Sequence, residues 1–174
     1  MNIVNFIRIC MLCLGLLISC HSKQDNLYLF DYILNDYEFP ENCKILDETI
    51  NYNELNLSIE LEELTKLKLE NDYFDLKYLL KQKKENIQKL NSNGNLDFKF
   101  DLISEDKFPE IWRTDTSFKG LIRVGRPFYS KNAKYAYLEC FYVCRGDCGF
   151  QVGVIYKMEK NGWMKWKEMF YSIS

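Results

Sequence analysis

The chain has 174 residues, of which 23 are basic, 25 acidic and one a histidine, for a formal net charge of −2. That balance offers no basic footprint for nucleic acid, and 47% hydrophobic residues with only 8 glycines and 3 prolines describe a folded rather than a disordered chain. His21 is the sole histidine, so Ser-His-Asp and Cys-His catalytic sets and His-bearing zinc sites are excluded from the body of the chain.

The first element is a leader. Arg8 precedes an uncharged apolar run over residues 9–18, and the small Ser19 and then Cys20 follow. A charged start, an apolar run of roughly 7–15 residues and a small residue at its end make a secretory signal; the run falls short of the ~20 apolar residues of a membrane span. Leu17-Ile18-Ser19-Cys20 resembles the lipobox of bacterial lipoproteins. The resemblance implies cleavage before Cys20 and lipid modification of that cysteine, with acyl chains enough for stable anchoring. Cys10 and Cys13 lie inside the apolar run and lack the Leu-x-Ser context. After Cys20, His21-Ser22-Lys23-Gln24 has no acidic run and no aspartate at the second position. The resemblance then implies an outer-membrane, periplasm-facing location in the bacterial cell envelope. The expected organisation is a signal peptide over 1–19, a polar tether over 20–26 and one α+β domain over 27–174.

In that domain, Leu27, Phe30, Ile33, Leu34 and Tyr37 follow helical spacing, with Asp25 as N-cap and Pro40 beyond the stop. Residues 43–47 read as a short strand. Residues 52–69 fit two patterns: Leu57, Ile59 and Leu61 alternate like a strand, while Leu57, Leu61, Leu64 and Leu67 suit a helix. A helix over 74–90 would put Leu76, Leu79, Leu80, Ile87 and Leu90 on one side and Lys81, Lys83, Lys84 and Lys89 on a solvated face. The turn Asn91-Ser92-Asn93-Gly94-Asn95 closes this half.

The second half is strand-rich. Leu96, Phe98, Phe100 and Leu102 alternate with Asp97, Lys99 and Asp101. Ser104 can cap a helical turn reaching Trp112, interrupted by Pro109, and strands then run from Gly120 onward. A loop of Arg145-Gly146-Asp147 would set Cys144 opposite Cys148, Tyr142 opposite Phe150, Cys140 opposite Val152 and Leu138 opposite Val154. A loop of Lys160-Asn161-Gly162 would set Met158 opposite Met164, Tyr156 opposite Trp166 and Val152 opposite Phe170. These registers give both hairpins one shared apolar face, and a one-residue slip would turn every side chain over. The expected fold is therefore α+β, with N-terminal helices packed on one face of an antiparallel meander sheet formed mainly by the C-terminal half.

Cys43, Cys140, Cys144 and Cys148 remain for chemistry. In an oxidising envelope they favour disulfides over metal ligation. Cys144–Cys148 is the first candidate pair; Cys140 stays either a buried thiol or a partner for Cys43. A thiol redox role is the sharper alternative, but the spacing is CxxxC and not CxxC. Arg145-Gly146-Asp147 also spells an adhesion tripeptide, although turns favour Gly and Asp on their own account. Trp163, Trp166, Phe170 and Tyr171 could line a groove, but their alternation suits a core. No metal or cofactor is implied, and no carboxylate pair stands out as acid and base.

The run GLIRVGRPFYSKNAKYAYLECFYVCRGDCGFQVGVIYKMEKNGWMKW resembles the ending of small uncharacterised envelope lipoproteins, in which a similar strand, a Cys-containing Gly-rich turn and a Lys-Asn-Gly-Trp-like hairpin recur. The resemblance spans about residues 96–174 and brings no functional residues with it. Together these features lead to a membrane-anchored, non-enzymatic binding or structural module whose partner is an envelope protein or surface component. The alternative is an envelope enzyme, either a carboxylate hydrolase or a Cys144/Cys148 redox protein.

Overall fold

The computed structural model describes residues 29–50, 58–84, 90, 99–146 and 148–172, without the side chains of 58–60 and 170–172. The leader, Cys20, the tether and its Asp25 cap, and the Asn91-Ser92-Asn93-Gly94-Asn95 turn all lie outside the described residues.

Residues 29–36 are helical (α1) and bury Leu29, Phe30, Ile33 and Leu34, the stripe that 3.6-residue periodicity dictates. Strand β1 covers Cys43–Leu46. Of the ambiguous segment, residues 52–57 lie outside the described residues and Ser58–Thr65 form helix α2, with Leu61 and Leu64 fully inside. Helix α3, Leu76–Lys83, is shorter than its periodicity predicts. Asp75 caps it by accepting from the Tyr78 amide, and Leu79 and Gln82 face inward. Leu76 and Leu80 face outward, contrary to the predicted stripe, while Leu90 is buried in a different cluster. Strand β2, Asp101–Ile103, follows. Helix α4, Phe108–Thr114, is begun rather than interrupted by Pro109, whose missing N–H falls among the first-turn donors that have no helical partner.

Strands β3 (Gly120–Val124), β4 (Phe128–Tyr129), β5 (Tyr135–Cys144), β6 (Gly149–Glu159) and β7 (Gly162–Ser172) complete the sheet. Its order is β2-β1-β3-β5-β6-β7, with β4 paired to β5 beyond the end of β3. The fold is α+β as predicted, but the sheet is mixed. β3, β5, β6 and β7 run antiparallel, whereas β1 pairs parallel with both β2 and β3.

Both faces are covered, a second correction to the one-faced expectation. Along β5, Ala136, Leu138, Cys140 and Tyr142 join one cluster with α1, β1, β3 and β6. The alternate residues Tyr135 and Tyr137 join another with Leu61, Leu64, Phe74 and Leu79. Leu46, Ile103, Phe118 and Leu121 form a third with Phe108, Ile111 and Trp112 of α4. A strand buried on both sides reads as a near-continuous apolar run, as YAYLECFYVC does apart from Glu139.

The β5–β6 register matches prediction: Tyr142 faces Phe150, Cys140 faces Val152 and Leu138 faces Val154. In β6–β7, Val152 faces Phe170 as predicted, but Met158 faces Trp163 and Tyr156 faces Lys165. A register shift between Ile155 and Tyr156 separates the two halves. The hairpin closes one residue earlier than expected, with Glu159 opposite Gly162, and Gly162 takes the φ of +114° that the turn demands. One extra residue on β7, Trp166, makes up the difference. It drives Trp163 into the α1-side cluster and sets Trp166 against Tyr135, ring centroids 5.5 Å apart.

Candidate functional site

The cysteines divide into a bridge and two buried thiols. Cys144 and Cys148 form a disulfide with Cα atoms 5.5 Å apart, within the range a bridge requires. The Cys144 amide also donates to the Cys148 carbonyl at 3.2 Å, so the bridge closes an already paired hairpin end. Cys43 and Cys140 are free and buried, which removes the Cys43–Cys140 pairing. They sit on β1 and β5 with β3 between, and Cys43 is level with Gly120 and Cys144, four residues along from Cys140. Two strand spacings alone put roughly 9–10 Å between them, beyond the ~7 Å limit for bridging. Burial pushes the Cys140 thiol well up, and it pushes Cys43 up despite the Tyr142 hydroxyl beside it. Reactive thiols show the opposite displacement. Arg145 donates from Nη1 to the Asp115 carbonyl at 2.8 Å, tying the adhesion-like loop back to the α4 side.

Three carboxylates that the sequence did not single out are structural. Asp72 is 8% exposed and gathers the β4–β5 turn: it accepts from the Tyr73 and Asn132 amides on one oxygen and from the Ser130 hydroxyl and Lys134 amide on the other. Burial alone would raise its pKa; the Ser130 hydroxyl and the three amides outweigh that and hold it below the usual aspartate range. Glu139 is fully buried on β5 and accepts from the Tyr137 hydroxyl at 2.6 Å. Gly153 opposite it makes this possible, because a Cβ there would stand 2.5 Å from the Tyr137 hydroxyl. Glu70 is held low by its hydrogen bond and charge pairing with Lys157, 3.0 Å away, the reverse of what a general acid needs. These three are invisible to periodicity, although Glu139 does interrupt an otherwise apolar strand.

Gln82 anchors α3 to the sheet. Its side-chain amide donates to the Tyr129 carbonyl and accepts from the Tyr129 amide, both at 2.9 Å, as a neighbouring strand would. Arg126 adds a hydrogen bond to the Gln82 carbonyl. With Leu79 and Gln82 facing in, the outer face of α3 is fixed. It borders an open groove of about 990 Å³ lined by Asp75, Leu76, Lys77, Tyr78, Leu80, Lys81, Lys84 and Lys131. Leu76 and Leu80, one turn apart, are 38% and 43% exposed. The Lys131 ammonium lies 5.2 Å from the Tyr78 ring centre. Asp75, the sole acid in this lining, has its carboxylate engaged as the α3 cap. The predicted lysine face is therefore present at Lys81 and Lys84, but it carries leucines too, and Lys77 and Lys131 join it. Chemically the groove offers four cations around an apolar strip. A smaller cleft of about 490 Å³ is lined by Glu70, Asn71, Asn132, Ala133, Lys134, Lys157 and Met158. There Lys157 is already paired with Glu70 and Glu159, at 3.0 and 2.9 Å.

Among the described residues, no helix is long and apolar enough to cross a membrane, and no three His, Cys, Asp or Glu side chains gather as metal ligands. No family model, curated protein or solved structure matches this chain.

Proposed function

We propose that the protein is a lipid-anchored envelope lipoprotein, held through Cys20 in the outer membrane facing the periplasm, whose globular domain is a non-enzymatic binding or structural module. The leader carries the anchoring half of this reading, with Arg8, the apolar run over 9–18 and Leu17-Ile18-Ser19-Cys20 in the order a lipoprotein signal requires. The observation that favours binding over catalysis is how the reactive groups are spent. Asp72 and Asp75 organise backbone, Cys144 and Cys148 are bridged, and Cys140 is sealed in the sheet. The largest exposed concavity described above is instead basic and apolar. Intact mass of the membrane-extracted protein tests the anchor: residues 1–19 should be gone and acyl mass added. A Cys20→Ser variant should leave the membrane fraction; retention and normal processing of that variant would refute the reading.

A further inference from the structure

We infer that the outer face of α3 docks on an anionic phospholipid bilayer, so that the domain stands on the membrane in one fixed orientation. This rests on the lipid-anchor reading and adds to it the surface that touches the bilayer.

The first observation is the groove itself. Leu76 and Leu80 project from successive turns of α3, flanked by Lys77, Lys81 and Lys84 on the helix and by Lys131 from the β4–β5 turn. Leucines between lysines suit a membrane interface: the aliphatic strip enters the acyl boundary while the ammonium groups stay at the phosphates. Acidic side chains nearby do not cancel this charge. Asp75 keeps its charge while it caps α3, Asp72 keeps its own beneath the 130–134 turn, Glu63 is paired with Lys66, and Glu70 and Glu159 share Lys157. The four lysines of the groove still outnumber Asp75, the one acid in its lining.

The second observation is where the chain leaves the domain. Tyr32 of α1 packs on Tyr156, and its hydroxyl lies 3.8 Å from the Cβ position of Gly162, beside the β6–β7 turn. Farther along α1's exit, Tyr37 packs on Phe150, toward the disulfide end. The chain thus enters α1 at the end of the sheet that holds the β6–β7 and β4–β5 turns. The two turns are joined there by the Met158 amide donating to the Lys134 carbonyl at 2.8 Å. Lys131 and the start of α3 occupy this same end, where the Lys131 amide donates to the Tyr73 carbonyl at 2.9 Å. Nine residue steps separate Cys20 from Leu29, a reach of at most roughly 30 Å. A lipid at Cys20 would thus tether the domain from the end of the sheet that also holds Lys131 and the start of α3, although α1 and α3 pack on opposite faces. The bridge between Cys144 and Cys148 lies at the other end. An acidic protein segment would satisfy the lysines but has no such reason to be held at this end.

The test uses the processed protein as the cell makes it, with vesicles of phosphatidylcholine alone or of phosphatidylcholine with phosphatidylglycerol. Amine-reactive labelling is read lysine by lysine. Lys77, Lys81, Lys84 and Lys131 should be protected on the anionic vesicles, and the protection should fade in high salt. Lys99, Lys107 and Lys119, also exposed, should react equally on both. Each lysine near an anionic surface strengthens binding about fivefold. The exposed triple variant K77E/K81E/K84E should therefore lose protection at Lys131 and, measured without lipid attachment, bind over ~100-fold more weakly. Equal reactivity on both vesicles, or protection by soluble polyglutamate and not by vesicles, would overturn the inference. If the mass of the same sample shows no acyl chain, the lipoprotein reading fails on its own; salt-sensitive sedimentation with anionic vesicles would still support this surface.

Discussion

At the scale of single residues, Asp72 has the largest structural share of the groups the sequence passed over. It sits between Asn71 and Tyr73 on the connection leading to α3, and its two oxygens take four hydrogen bonds, three of them on the 130–134 turn. Replacing it by Asn keeps the volume but supplies a donor where acceptors are needed, facing amides that must then stay unpaired. We expect Asp72→Asn to cost about 1–3 kcal/mol in urea unfolding. The pH dependence has a definite sign. A carboxyl whose folded pKa lies below its unfolded value contributes fully above pH ~4, and that contribution disappears as pH falls through the folded value. Stability of the parent should accordingly drop on acidification below pH ~4, and the variant should show a shallower drop. Equal acid profiles for the two would show that Asp72 is not a stabilising carboxylate.

At the scale of elements, the β5–β6 hairpin is held mainly by its partners and only secondarily by its bridge. Leu138, Cys140, Val152 and Val154 are all fully buried across the register, and β6 is flanked by β7 on its other edge. The disulfide closes a loop with a sequence separation of 4, so its chain-entropy gain lies below the ~3 kcal/mol of a 15-residue loop. Replacing Cys144 and Cys148 by Ser should lower the midpoint of thermal unfolding modestly and leave the circular dichroism spectrum unchanged. Loss of folding in that variant would show that the bridge, not burial, sets the register. Helix α3 illustrates a different balance. Its leucines would suggest an inward stripe of Leu76, Leu79 and Leu80, yet Gln82 pairing with Tyr129 rotates the helix so that Leu79 alone of the three is buried. A buried amide that satisfies both backbone groups of an edge strand outweighs the partial exposure of two leucines.

At the scale of the whole molecule, one sheet separates two apolar layers. Ile33 of α1 lies in the cluster on one face and Leu64 of α2 in the cluster on the other, each fully buried. Truncating either to Ala should cost about 2–5 kcal/mol. Because the clusters share no residue, the double variant I33A/L64A should lose the sum of the two within ~0.5 kcal/mol, provided it still folds. If it does not, the milder Ile33→Val and Leu64→Val pair gives the same comparison by urea titration. A coupling well above that margin would mean the layers stabilise each other through the sheet.

What depends on backbone period and local turn chemistry was legible in the residues alone. They specified the α1 stripe of Phe30, Ile33 and Leu34, the short β1, and the β5–β6 register with Cys144 opposite Cys148. Each follows from a repeat of 3.6 or 2 residues, or from the loop between two strands. The chain also carries a local pattern, Arg8 before the apolar residues 9–18 and Leu17-Ile18-Ser19-Cys20, that resembles a lipoprotein leader. The rest was set by contacts between segments distant in the chain. The parallel pairing of β1 with β2 and β3 joins segments far apart in the chain, which no local period records. Alternation cannot show that β5 is covered on both faces, because a run of apolar residues fits either layer. The extra residue at Trp166 and the outward turn of Leu76 and Leu80 reflect competition between neighbouring elements, settled by where Trp163 and Gln82 find partners. The basic groove is a product of that last decision: the lysines are legible in the sequence, but the face they share with two leucines and Lys131 exists because the buried side of α3 was chosen by the sheet.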